Sequence, residues 1–267
     1  MYLSKTPLDI TVIYYTSNYL EEKNPIFVSN TKRQLLKAIG CLPLISVSQK
    51  PMDFGKNLCL GDIGRSHRNI YWQILQGCKE AKTEYVAMAE DDILYSYAHF
   101  HSYVPKRRIF AFDKQKLSLF TWTKPPMYTF RTKRMVINQM ICHRELMIEA
   151  MEERFARVDE LLKSGVTSEW IDSRWGDPCR YERLLGVKVQ EREEFYCKTP
   201  SIVFSHPKAF GYENNQGKKK RLGDIRMFDI PYWGKAEDVL QYYYQEKEAK
   251  KPPEIVDWYD WLYNSDL

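Results

Sequence analysis

Between residues 10 and 89 the chain alternates short apolar runs with segments of helical period, and this restricts the fold more than any other feature of the sequence. The runs ITVIYY (10–15), LPLISV (42–47) and YVAMA (85–89) have the length and β-rich content of buried strands. Between them, residues 30–39 carry Leu35, Leu36 and Ile39 at helical spacing, and residues 62–81 carry Ile63, Ile70, Ile74 and Cys78. Strand, helix, strand, helix, strand in this order predicts an α/β fold with a mostly parallel sheet covered by helices, since parallel neighbours need a long crossover. Ligands of such sheets bind beyond the carboxyl ends of the strands. Thr16, Ser48 and the triplet Glu90, Asp91, Asp92 all fall there.

The second half is more mixed. Residues 117–122, 135–142 and 200–205 read as strands, and residues 144–163 as an amphipathic helix with Leu146, Ala150, Val158, Leu161 and Leu162 inward. From Ala236 the pattern is helical, broken at Pro252 and Pro253, and it ends in an aromatic stripe, DWYDWLY, expected to pack. With no repeat and no linker rich in Gly, Ser or Pro, one domain over residues 1–235 with a helical extension over 236–267 packed on it is expected. A length of 267 residues with 44% hydrophobic content suffices for a sizeable core. No run nears the roughly 20 apolar residues that span a bilayer, and residues 1–7 lack an export pattern, so a cytoplasmic protein without a transmembrane segment is expected. Six cysteines without a CxxC pair imply free thiols rather than disulfides or zinc. The net charge of +5 is unevenly spread, with Lys106, Arg107, Arg108 in one block and Lys218, Lys219, Lys220, Arg221 in another, a distribution that favours contact with phosphate.

The acidic triplet carries the chemistry. Successive side chains on a strand alternate faces, which pairs Glu90 with Asp92 on one ligand and turns Asp91 aside. Hard oxygen donors suit Mg2+ or Mn2+, which bind one or two carboxylates together with substrate phosphates. A diphosphate-bearing partner follows, with a solvated acidic turn as the plain alternative. His99 and His101 are rival ligands, and a histidine-containing amphipathic helix is the simpler account of them.

Taken in order, these motifs resemble the GT-A glycosyltransferases, in particular inverting, family-two-like enzymes that use nucleotide-diphosphate sugars, over residues 8–212. The resemblance implies a GT-A-like (Rossmann-like) sheet in which Tyr15, Thr16 and Ser17 hold the nucleoside. It implies that GDIGRSHRN supplies Gly64, Arg65, Arg68 and Asn69 to the donor, and that AEDD supplies Glu90 and Asp92 to a Mn2+ or Mg2+ ion with Asp91 beside the donor. Asp177, with Arg183 six positions on and then Gly186, is similar to the segment carrying the catalytic base, Asp172 and Glu182 being its neighbours in the running. His206, after PSIVFS, takes the place of a further metal ligand, and His143 and Arg144 stand where similar proteins face the acceptor. Lys218, Lys219, Lys220 and Arg221 would close over the donor diphosphate.

The chain departs from the pattern in two places. Ser48 and Gln49 replace the acids that usually contact the base, which leaves Gln49 to the donor, and Gly176 replaces the first acid of the later pair. The implied donor is a UDP-sugar. The implied acceptor is a glycan or lipid-linked sugar met at a membrane surface, or a hydroxymethylated DNA base of the kind some viral glycosyltransferases modify, which would place the enzyme in a host cytoplasm. Two other classes stay open. One is a nucleic-acid-binding module built on the basic blocks and aromatic tail, the other a metal-dependent nuclease or nucleotidyltransferase on the same carboxylates. The nucleotidyltransferase lacks support from any early Gly-rich signature after the first strand, and no P-loop is present.

Overall fold

The computed structural model describes residues 9–248 apart from 107, 122, 131–134, 173, 176–180 and 206–224. In chain order its first strands are β1 (Ile10–Tyr15), β2 (Leu44–Ser48), β3 (Lys56–Cys59), β4 (Tyr85–Ala89), β5 (Ile93–Leu94) and β6 (Phe110–Asp113). They are followed by β7 (Lys116–Phe120), β8 (Tyr128–Phe130), β9 (Met140–His143), β10 (Arg192–Phe195), β11 (Ser201–Ser205) and β12 (Ile225–Met227). The helices are α1 (Tyr19–Lys23), α2 (Pro25–Ile39), α3 (His67–Glu80), α4 (Tyr97–His101), α5 (Arg144–Lys163), α6 (Ser168–Asp172), α7 (Glu182–Leu185) and α8 (Ala236–Tyr244).

The main sheet has seven strands in the order β10-β6-β9-β4-β1-β2-β3. Its pairings are parallel except that β9 runs against both β4 and β6. This is the α/β, mostly parallel sheet with covering helices that the alternation predicts. β1 is buried along its whole length because it has a neighbour on each edge and helices on each face. Ile13 and Tyr15 point into one core layer with Ile74 and Cys78 of α3 and Leu146 and Met147 of α5. Val12 and Tyr14 point into the other with Leu35 and Ile39 of α2 and Phe100 of α4. A second sheet, in the order β12-β8-β7-β11-β5, builds a third apolar layer against α8 and the start of α2.

β1, β4 and α5 occupy the spans that their patterns predict. α3 starts later than expected, at His67, because Gly64 adopts φ 75° and the Ser66 hydroxyl accepts from Asn69 N at 3.1 Å to cap the helix. Residues 62–66 are therefore loop. α2 starts earlier, at Pro25, with the Asn24 side chain accepting from Phe27 N at 3.2 Å and proline in the first turn. The span 135–142 divides into a 3-10 turn, Ile137–Gln139, and β9.

α8 lies against α2, and Asn30 fixes it there by donating to Tyr242 O at 2.8 Å and Gln245 O at 2.7 Å. The aromatic stripe beyond it lies outside the described residues. Cys41, Cys59, Cys78, Cys142 and Cys197 are free thiols, as expected. Among the described residues no helix is long and apolar enough to cross a membrane.

Candidate active site

Because β1, β2 and β4 are parallel and in step, with Tyr15 beside Val47 and Tyr14 beside Ala89, their carboxyl ends reach the same edge of the sheet. A cleft of about 440 Å³ opens there. Its walls are Tyr15, Thr16, Ser17, Gln49, Gly64, Arg65, Ser66, His67, Asn69, Ile70, Gln73, Glu90 and Asp91. Four connections shape it: the turn after β1, the segment after β2, the loop before α3, and the acidic turn after β4.

Each connection is stitched to its neighbour by hydrogen bonds. Asn18, in the left-handed region at φ 62°, accepts from Gln49 N and Lys50 N, both at 2.9 Å, and so joins the ends of β1 and β2. Gln73 of α3 donates to Thr16 O at 2.8 Å and Val47 O at 3.0 Å. Gln49 Nε2 donates to Gly64 O at 2.7 Å, and Asn69 Nδ2 donates to Ile63 O, which together hold the α3 loop on the cleft wall. Arg65 lies at its mouth, with the guanidinium 3.9 Å from the centre of the Tyr19 ring.

The acidic triplet corrects one expectation. β4 stops at Ala89, so Glu90, Asp91 and Asp92 sit in a turn and do not follow strand alternation. Asp91 is not turned aside: it lines the cleft together with Glu90 and accepts from Thr16 Oγ1 at 2.6 Å. Glu90 is held at both oxygens, by the Tyr15 hydroxyl at 2.7 Å and by Asn138 Nδ2. Tyr95 fixes this arrangement by accepting from Glu90 N at 3.1 Å and donating to Asn138 O at 2.9 Å. Asp92 is tied through its backbone, whose carbonyl accepts from Phe204 N of β11 at 2.9 Å. The turn thus spans the two sheets, with β4 in one and β5 in the other.

Crowding shows in the proton affinities. Burial raises the Asp92 carboxyl well above the ordinary aspartate range, and the charges of Glu90 and Asp91 push it further the same way. Burial raises Asp91 too, against the opposing pull of the Thr16 hydrogen bond. The Tyr15 phenol is raised by burial and then by Glu90. Asp92 Oδ1 is buried and has no hydrogen-bond partner among the described residues. A buried, unpartnered oxygen beside two further carboxylates is a hard, anionic donor set, and it fits a divalent cation of the Mg2+ or Mn2+ type.

Thr16, Ser17, Gln49, Arg65, Asn69, Glu90 and Asp91 thus converge on one cleft, with Asp92 behind them. Arg68 does not join them: it turns to α5, where it meets Asp159 at 3.3 Å. His143 and Arg144 are at the opposite edge. His143 pairs with Tyr85 at the start of β4, and Arg144 donates from N and Nε to Glu84 O and Thr83 O. Five residues of strand separate them from Glu90, roughly 15 Å, because β9 runs antiparallel to β4. They lock β9 to β4 and do not face the cleft.

Of the residues considered beside Asp177, Glu182 is committed to a buried ion pair with Arg154 at 3.0 Å, and Asp172 is exposed at the end of α6. Asp177, His206 and Lys218, Lys219, Lys220 and Arg221 lie outside the described residues. His99 and His101 are engaged elsewhere: His99 is bonded to Asp113 and His101 to the last carbonyls of α2. Sequence reasoning missed Asn138, Tyr95, Asn18 and Gln73. Only Asn18, in the short polar turn between β1 and α1, carried a local signal; Asn138 reaches Glu90 from 48 positions away.

No family model and no curated protein matches the sequence. Solved structures with similar folds include a glycosyltransferase involved in glycosylation of the major capsid of PBCV-1, at 11% identity and TM-score 0.42, covering 74% of this chain and 92% of that one. The glycosyltransferase GlyE of Streptococcus pneumoniae aligns at 9% identity and TM-score 0.45, over 96% of this chain and 63% of its own. A nucleotidyl transferase from Methanothermobacter aligns at 10% identity and TM-score 0.39, over 72% of this chain and 88% of its own. At values this low such likenesses weigh nothing for activity, which the residues of the cleft have to carry.

Proposed function

We propose that this protein is a metal-dependent glycosyltransferase that moves a sugar from a nucleotide-diphosphate sugar, in the first instance a UDP-sugar, to an acceptor hydroxyl. The observation that supports it is the polar cleft at the carboxyl ends of β1, β2 and β4, lined on one side by Glu90 and Asp91, with Asp92 behind them and its Oδ1 buried without a hydrogen-bond partner among the described residues. Thr16, Ser17, Gln49 and Asn69 supply the hydrogen-bonding groups for the nucleoside, and Arg65 supplies a cation at the mouth for the diphosphate. Asp91 and Asp92 would hold the cation, with His206 as a further ligand on the family resemblance. Glu90, engaged at both oxygens, orients the donor and ligates least. When bound, a Mn2+ or Mg2+ ion neutralises the charge that develops on the departing diphosphate.

The acceptor oxygen attacks the anomeric carbon, the bond from that carbon to the diphosphate oxygen breaks, and the acceptor's proton passes to a carboxylate. Asp177 takes this role on the resemblance, and a single displacement inverts the anomeric centre. Lys219, Lys220 and Arg221 would close over the phosphates. The acceptor is a glycan or lipid-linked sugar, or a hydroxymethylated base in DNA. Calorimetry with UDP, GDP, CDP and ADP, each with and without Mn2+, tests the donor site. One diphosphate should bind in a metal-dependent manner. Absence of binding to all four would remove the transferase reading, and turnover of a nucleoside triphosphate with release of pyrophosphate would replace it by the nucleotidyltransferase.

A further inference from the structure

A second cluster of metal-ligating side chains lies apart from the cleft. His99 on α4, Asp113 at the end of β6 and Cys197 just after β10 are all buried, and each offers one donor atom within 4.8 Å of the others. They come from three separate elements, so no local sequence motif brings them together. β6 is parallel to β4, with β9 between the two, which places the cluster on the same edge of the sheet as the acidic turn but two strands away. Its walls are apolar and aromatic: Tyr95, Phe100 and Phe195 have ring centres 5.2, 4.7 and 6.5 Å from that of His99.

We propose that His99, Asp113 and Cys197 form a structural site for a transition-metal ion of the zinc class, separate from the cation of the cleft. Nitrogen, sulfur and carboxylate oxygen together are the donor set that zinc selects, whereas Mg2+ and Mn2+ avoid sulfur. His99 Nδ1 and Asp113 Oδ2 are 2.9 Å apart, a spacing two ligands of one ion can take, and an ion between them would replace the hydrogen bond that joins them. Asp113 is pre-oriented, since its Oδ1 accepts from Gln115 N at 2.9 Å and Cys197 N at 3.4 Å. Oxygens already face the sulfur, Ser102 Oγ at 3.3 Å and the Ala98 carbonyl at 3.4 Å, and can supply the fourth donor of a tetrahedral ion. The ion would tie α4 and the end of β10 to the end of β6, behind Tyr95, whose hydroxyl positions Glu90.

The test uses the full chain and does not depend on the transferase proposal. Purified protein is stripped with chelator and titrated with Co2+ and with Zn2+. A sulfur-to-cobalt charge-transfer band should appear in the parent and vanish in Cys197→Ser, with zinc retention falling from about one ion per chain to near none. A carboxylate site in the cleft cannot give that band. Zinc K-edge absorption on the zinc-loaded parent should read a single sulfur among nitrogen and oxygen donors, a measurement that stands even if the variant fails to fold. Absence of the band and of zinc retention in the parent, or a band that persists in Cys197→Ser, would overturn the proposal and leave His99, Asp113 and Cys197 a closed hydrogen-bonded network.

Discussion

At the scale of single residues the acidic turn concentrates most of what can be tested. Asp91→Asn and Asp92→Asn should each weaken Mn2+-dependent binding of the diphosphate by about tenfold or more, since each removes an anionic donor from the proposed ion. Glu90→Gln should lose less, because Tyr15 and Asn138 already occupy its oxygens; calorimetry ranks the three, and a Glu90 loss exceeding both aspartates would refute the assignment. Asp177→Asn should leave donor affinity unchanged and lower turnover by about a hundredfold or more. The raised aspartates also predict a pH dependence. A carboxyl that binds its proton more tightly when folded contributes stability that is fully present below the unfolded value, about 3.9, and is lost as pH rises through the raised folded value. Burial raises Asp91 and Asp92, Asp92 more strongly. Melting temperature without metal should therefore fall as pH rises above about 4, Mn2+ should recover part of the loss at neutral pH, and Asp92→Asn should flatten the slope. The identity of these carboxylates was legible in the sequence because three acids follow an apolar run. Their directions were not, because the alternation rule holds only while the strand continues, and here it ends at Ala89.

Among the elements, what could be read from the pattern depended on burial. β1, β4 and α5 are predicted by periodicity because they pack into the core. β3 (KNLC) and β10 (REEF) are the two edge strands of the main sheet, and their polar sequences carry no strand pattern, since pairing with one neighbour and little burial impose none. Packing contacts between elements were likewise invisible. Gly77 in α3 faces β1 and β2 so closely that an added Cβ would stand 2.6 Å from Ile13 Cγ2 and 3.0 Å from Val47 Cγ2. Gly77→Ala should destabilise the protein by about 1–3 kcal/mol despite alanine's better helix propensity, which urea unfolding would measure; a stabilised variant would show that α3 can move off the sheet. Arg154, fully buried on α5, donates to Trp175 O at 2.9 Å and pairs with Glu182 at 3.0 Å, clasping the chain on either side of Asp177. Arg154→Leu alone should cost about 3–5 kcal/mol, whereas Arg154→Met combined with Glu182→Leu should recover much of it, because a lone buried charge is worse than none. Equal losses in the single and double variants would mean that the pair serves packing more than charge.

Viewed as a whole molecule, the fold sets a polar cleft at the carboxyl ends of β1, β2 and β4, on a chain of net charge +5 whose excess lies in discrete basic blocks. An excess of this kind can serve the donor diphosphate or the phosphates of a polynucleotide, and the two differ in how they respond to salt. If Lys218, Lys219, Lys220 and Arg221 close over the donor, replacing all four by Ser should raise the donor's apparent dissociation constant whichever acceptor is present, and should leave DNA affinity where it was. If they track a DNA backbone, donor affinity should stay level while duplex binding weakens. The logarithm of the DNA binding constant should then also fall less steeply with the logarithm of salt, since each phosphate contact releases condensed counterions and contributes a slope near −0.9. Replacing the block by Lys or Arg alone would decide nothing, as the cations remain. Titrating DNA affinity against salt in the parent and the Ser variant, beside donor calorimetry on the same preparations, separates the two acceptors. A parent with no measurable duplex affinity at low salt would exclude a hydroxymethylated DNA base as acceptor, because a duplex substrate has to be held largely through its phosphates, and would leave the glycan or lipid-linked sugar.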